Sequence, residues 1–336
     1  MTPLIYVYDG ILPEYCFYSL DFTKKFSNKK IILLITKNNK KLPIGVDYYY
    51  IEDFYNENLS EKINFKNYYK NFWNGFWIKS IERFFILKSF CKKENITSFF
   101  HAELDNVIFN LNSLDKKLSR FGKKFFFTKD ALNRGLAGLI YINSVDTLSD
   151  FCNFVVENLQ TNFLNDMQLL GKFSNNHPKK CIILPNELNA FQNDKISFKA
   201  IDAKIIDGII DGARIGTFLF GVDPRLSKSP VFNRVHPTGE ENRTNFNYNN
   251  LLFYFSKSKK EFRIKHKITK KIVKIYNLHI HSKLFKKISK EKFFISVLSK
   301  INLNQSTLLT LNLKNIFRFA IIDFKLKFIK FFFIKK

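Results

Sequence analysis

No two cysteines are spaced as CxxC. Cys16, Cys91, Cys152 and Cys181 stand far apart, which argues against a zinc ribbon or a dithiol redox motif and leaves buried thiols in a reducing compartment as the expectation. No uncharged apolar run reaches the roughly 18 residues that a membrane span needs, so no transmembrane helix is expected. The opening Met-Thr-Pro-Leu-Ile-Tyr-Val-Tyr-Asp-Gly lacks the basic stretch and long apolar run of a secretory leader and reads as a first strand. A cytoplasmic location is expected. The glycines match neither GxGxxG nor a P-loop, and no internal repeat is visible. RNP, KH and helix-turn-helix signatures are also missing.

Acidic residues are few: 29 against 55 Lys and Arg, a formal net charge of +26. The imbalance is steepest at the C-terminal end, where residues 256–336 hold 22 Lys and Arg but only Glu261, Glu291 and Asp323. Such a gradient suits an anionic partner, phospholipid or nucleic acid. A/T-rich codons favour Lys, Phe, Ile and Asn together and account for part of the excess. Residues 313–336 interleave lysines with Phe, Ile and Leu around a single acid. That pattern is too charged to span a bilayer but suits its interface, so peripheral contact with an anionic membrane surface is expected.

With 336 residues, 46% of them hydrophobic, the chain can build one large α/β domain with appendages or two modest domains. Short apolar runs alternate with helical patterns. Strands are expected at 4–8, 30–36, 47–51, 97–101, 124–128, 139–142, 181–184 and 272–281, and helices at 12–26, 77–93, 145–159 and 165–173. The alternation predicts an α/β fold, a mostly parallel sheet covered by helices on both faces. Residues 207–250 carry the densest Gly and Pro punctuation and read as loops.

Four clusters bear chemistry. Glu103 and Asp105 alternate across Leu104 just after a buried strand. Ligands of open α/β sheets bind at the carboxyl ends of strands, and two carboxylates there suit Mg²⁺ or Mn²⁺; a solvated turn would look the same. His279 and His281 lie two apart, on one face of the late strand, with Lys283 following. An imidazole there could complete a metal site, and the lysine could neutralise a diphosphate; a surface pair on an edge strand is the alternative. Asp166, next to the candidate N-cap Asn165, could serve as a general base or merely as an acidic first-turn residue. The glycines from Gly208 to Gly221, around Asp211, suggest close backbone approach to a ligand or a lid.

Four runs together resemble bacterial glycosyltransferases of the GT-A type. They are Glu82-Arg83-Phe84 with His101-Ala102-Glu103-Leu104-Asp105; Asn165-Asp166-Met167-Gln168; Asp211-Gly212-Ala213-Arg214 on to Asp223-Pro224-Arg225; and Asn277-Leu278-His279-Ile280-His281-Ser282-Lys283. The resemblance spans roughly residues 3–290 and implies a GT-A-like catalytic domain at 1–290; the Lys/Phe/Ile patterning beyond it reads as a basic amphipathic helical extension at 291–336. It implies a hexosyltransferase-like enzyme that moves a sugar from a nucleotide-diphospho-sugar to a glycan or lipid-linked acceptor, as in surface polysaccharide synthesis. Glu103 and Asp105 would play the DxD metal motif, with His279 or His281 as the late metal-binding histidine. Lys283, Asp211 and Arg83 would serve the donor, and Asp166 would be the acceptor-side carboxylate. Glu103 departs from the usual first Asp, and Asn165 stands where an acid often precedes the base. The competing expectation, drawn from the basic tail and 40 phenylalanines, is a nucleic-acid-binding protein without transferase activity.

Overall fold

The computed structural model describes residues 2–55, 75–160, 164–191, 198–221, 248–256, 258–281, 284–288, 290 and 294–296. Its strands are β1 (Leu4–Tyr8), β2 (Ile31–Ile35), β3 (Asp47–Tyr50), β4 (Phe99–Ala102), β5 (Asn106–Ile108), β6 (Phe125–Ala131), β7 (Arg134–Ile142), β8 (Cys181–Leu184), β9 (Leu251–Ser256), β10 (Glu261–His266), β11 (Ile272–Ile275) and β12 (Asn277–His279). The helices are α1 (Glu14–Phe26), α2 (Phe76–Lys93), α3 (Asn112–Leu118), α4 (Val145–Leu159), α5 (Asp166–Asn176), α6 (Glu187–Phe191), α7 (Ala203–Ile206), α8 (Arg214–Phe220) and α9 (Phe285–Ile288).

Period-two alternation builds the central sheet. Leu4 and Tyr6 of β1 face one side and Ile5 the other; Ile31, Leu33 and Ile35 of β2 oppose Ile32 and Leu34 in the same way. The seven strands lie in the order β3-β2-β1-β4-β7-β6-β8. All neighbours run parallel except β7, which is antiparallel to both β4 and β6. Both faces are apolar, so both need helices. The 18-residue helix α2, with α4 and α5, covers one face through Ile81, Phe84, Phe151 and Leu170. On the other side Cys16 and Leu20 of α1 and Leu114 of α3 pack on Leu4, Phe100 and Tyr141. This is the expected α/β architecture.

A third cluster grows from the outer side of α1, where Phe22 and Phe26 meet α8, α9 and the antiparallel sheet β11-β10-β9. The strands β9 and β10 extend beyond what the sequence pattern suggested. The single strand expected over 272–281 is two strands in two sheets: β11 pairs with β10, and β12 with β5. The break falls at buried Tyr276, whose amide donates to Ile209 O and whose carbonyl accepts from Phe109 N. Past the expected border at 290, Phe294 is fully buried against Phe22, Phe220 and Phe255. The segment 313–336 lies outside the described residues. Among the described residues no helix is long and apolar enough to cross a membrane. All four cysteines are buried, and none forms a disulfide.

Candidate functional site

Strand β4 pairs in parallel with β1 and ends at Ala102, at the carboxyl edge of the sheet. Buried Leu104 anchors the turn that follows, and the amide of Asn106 donates to Glu103 O, so Glu103 and Asp105 are left at the rim. Strand β12 then runs antiparallel to β5, with His279 opposite Asn106, and the amide of Ile280 donates to Asp105 O at 2.7 Å. Residues almost 180 positions apart in sequence are thereby brought together. His279 Nε2 lies 3.1 Å from Asp105 Oδ1 and 3.6 Å from Glu103 Oε2. One ligand atom from each of the three falls within 4.8 Å of the others. The His281 ring stacks on His279, centroids 4.3 Å apart, so the two histidines do share one side.

The support behind this cluster is a polar lattice. The buried Asp211 carboxylate accepts the amides of Ile215 at 3.0 Å, Gly216 at 2.9 Å and His279 at 3.0 Å. Burial is the main force raising its pKa, to about 6, and the negative Glu187 adds to it, while those amide donors pull the other way. Asn277, fully buried, donates to Asn106 Oδ1 and Asp211 O and accepts from the Asp211 amide. Gly216 of the glycine run and Gly138 of β7 both make room for β12. A Cβ on Gly216 would lie 2.0 Å from His279 O, and one on Gly138 would lie 3.0 Å from His279 Nδ1. At these two positions the close approach is to the protein's own strand β12. Asp211 likewise spends both its oxygens on the chain itself.

Arg83 sits on α2, buried beneath the rim. Its Nη1 donates to Glu103 Oε1 at 2.6 Å and its Nη2 to Asp166 Oδ2 at 2.5 Å. Asp166 opens α5, whose start is fixed by a capping box between Asn165 and Gln168. Burial raises the Asp166 carboxyl to about 6 against the pull of Arg83. The neighbouring His101 gives its Nδ1 to Ile5 O, and burial together with Arg83 holds it down near 3, so its ring is neutral. Lys283 and the run Val222–Arg225 lie outside the described residues. Asn106 and Gly138 were given no role from sequence, and Asn277 entered only as the start of the late histidine run; the available signal was an asparagine inside an apolar strand, which must find partners when buried.

Two carboxylates and an imidazole facing one point form a hard-oxygen set with one borderline nitrogen. Mn²⁺ and Mg²⁺ fit such a set, with remaining positions open to phosphate oxygens and water. Glu103 has one oxygen committed to Arg83 and the other turned toward His279, so it can join the set without breaking its ion pair.

No protein-family model matches the sequence, and no curated protein matches it. Among solved structures, mouse xyloside xylosyltransferase 1 overlaps 56% of this chain and 86% of its own at 9% identity, with a TM-score of 0.36. The bifunctional glycosyltransferase WbbM overlaps 56% of this chain and 39% of its own at 12% identity and a TM-score of 0.39. The glycosyltransferase GlyE of Streptococcus pneumoniae overlaps 52% and 44% at 12% identity and a TM-score of 0.32. All three are glycosyltransferases, but overlap at this level is partial and says nothing of what this chain does.

Proposed function

We propose that the chain is a glycosyltransferase that uses a nucleotide-diphospho-sugar and a divalent cation held by Glu103, Asp105 and His279. The observation that supports this reading is the convergence of those three side chains at the carboxyl edge of a mostly parallel sheet. When bound, the cation would offset the negative charge that builds on the departing diphosphate. The chain's own residues do the positioning. Asp211 fixes the backbone of His279, His281 stacks behind its ring, and Arg83 turns Glu103 so that one oxygen faces the imidazole. Lys283, two residues beyond His281, would meet donor phosphate. The acceptor proposed is a glycan or a lipid-linked sugar. Asp166 is buried and ion-paired with Arg83, which favours a part in holding Arg83 and Glu103 over direct contact with the acceptor hydroxyl.

A panel of UDP-, GDP- and CMP-sugars, assayed for hydrolysis with and without Mn²⁺, tests the reading. Metal-dependent turnover of one donor is expected. Salt-sensitive oligonucleotide binding with no donor turnover would replace this reading with the nucleic-acid alternative.

A further inference from the structure

The sheet β11-β10-β9 has two unlike faces. Phe253, Phe262, Ile264 and Ile275 point inward and are buried. Strand register sets Arg263 opposite Tyr254, and Lys265 opposite Leu252 and Ile272, so these residues share the outer face. On it Ile272 is 55% exposed, and the β10–β11 turn carries Ile268 at 70% exposure between Lys267 and Lys270. Residues 251–275 hold nine Lys and Arg against one acid, Glu261. Glu261 is occupied at the far end of the sheet by Arg263 and Lys274. Among the described residues, Lys265, Lys267 and Lys270 make no ion pair. Lys270 also takes a left-handed φ of 57°, a turn position that Gly or Asn fills with less strain.

We propose that the β10–β11 turn and the end of the outer face next to it form a docking surface for an anionic lipid bilayer; at the far end Lys274 is buried and bonded to Ser113. The chemistry matches an interfacial site: aliphatic side chains that can enter the acyl boundary, ringed by ammonium groups that meet headgroup phosphates. Single-stranded nucleic acid would call for a row of exposed rings to stack on bases. Here the most exposed apolar side chains, Ile268 and Ile272, are aliphatic, and Tyr254 is the exposed aromatic residue of the face. Docking is independent of the transferase reading and uses a different part of the chain from residues 313–336.

The full chain is co-sedimented with vesicles of phosphatidylcholine alone and of equal parts phosphatidylcholine and phosphatidylglycerol. Binding to the anionic vesicles alone is expected. The triple variant Lys265→Glu, Lys267→Glu, Lys270→Glu should weaken that binding at least about tenfold. Ile268→Asp should weaken it about threefold or more, chiefly in the part that survives high salt. Ile268 and Lys270 are exposed and Lys265 and Lys267 half-buried, so circular dichroism and melting check each variant against wild type; should the triple variant misfold, Ile268→Asp alone decides. Vesicle binding unchanged in the folded variants overturns the proposal, as does a wild-type chain that binds a single-stranded oligonucleotide and ignores anionic vesicles.

Discussion

Asp105 and Asp166 flank the same residue, Glu103, yet the protein treats them differently. Asp166 is neutralised from within: its side chain is 5% exposed and sits 2.5 Å from a guanidinium on α2. Asp105 is 13% exposed and faces an imidazole, with the second carboxylate of the cluster close by. On the Arg83 side one guanidinium bridges two carboxylates, Glu103 and Asp166. On the His279 side two carboxylates meet one weak base, and the balance needs further positive charge. Such a surplus of carboxylate is what attracts a cation, and Glu103 takes part in it through the oxygen that Arg83 leaves turned toward His279. The difference between the two sides can be broken by mutation from either end.

The largest effect is expected from Arg83→Ala. It strands the buried Asp166 and frees Glu103, and loss of one partner of a buried pair costs about 3–5 kcal/mol. The lower end applies, because Glu103 is partly exposed and Asp166 can take up a proton. The sign with pH follows from that proton. A carboxyl whose folded pKa is raised confers stability that is full below its unfolded value, about 3.9, and is lost as pH rises through the folded value. Asp166 stands at about 6 in the native protein, and higher once Arg83 no longer opposes burial. The deficit of the variant should therefore be small near pH 4 and widen above pH 6. Urea denaturation across that range measures it; a deficit independent of pH would show that Asp166 is not the stranded group.

Next in size is Asp105→Ala. Donor turnover should fall at least about 100-fold, or about 2.7 kcal/mol. The melting temperature should hold or rise, since a rim carboxylate is removed and no core cavity opens. Wild-type turnover with unchanged Mn²⁺ dependence would remove Asp105 from the site.

The contrast between the two sides was only half legible in the sequence. Local pattern revealed β1, β8 and α4 with their observed ends, because alternation and amphipathic periodicity are written in neighbouring residues. The pairing of Glu103 and Asp105 at a strand end was visible for the same reason. Arg83 was nominated for the donor, but its role as a bridge depends on α2 and α5 packing on one face of the sheet, which no local window contains. Strand β7 read short because Gly135, Ala137 and Gly138 thin out its apolar pattern; Gly138 is small where His279 Nδ1 needs the room. The turn between β11 and β12 was hidden inside one apolar run, since Tyr276 is as apolar as its neighbours and breaks the strand through backbone bonds to Ile209 and Phe109.

Gly216→Ala tests the His279 side without touching a ligand atom. The added methyl would fall 2.0 Å from the His279 carbonyl oxygen, and backbone must move. Alanine favours helix over glycine by about 1 kcal/mol, but overpacking costs about 1–3 kcal/mol, so a small net loss of stability is expected. Mn²⁺ affinity, measured by calorimetry, should fall about tenfold through displacement of His279. Unchanged affinity would mean that the cluster tolerates movement of β12 or that His279 is not a ligand.

The smallest effect is expected from Asp166→Asn, and it separates two roles for one carboxylate. The amide keeps the size of the side chain and leaves an oxygen for Arg83, but it removes the charge and all basicity. If Asp166 serves to hold Arg83, and through it Glu103, both reactions of the donor depend on it equally. Hydrolysis and transfer should then fall together, by about tenfold, with Mn²⁺ affinity slightly weakened. If Asp166 were the acceptor base, transfer would collapse while hydrolysis by water survived, because water enters without the acceptor hydroxyl that the base must deprotonate. The buried geometry favours the first outcome: Arg83 occupies the carboxylate at 2.5 Å, and only 5% of the side chain is open to an incoming hydroxyl. Comparing the two rates in one preparation decides it, since any loss of folded protein lowers both and cannot imitate a selective loss of transfer.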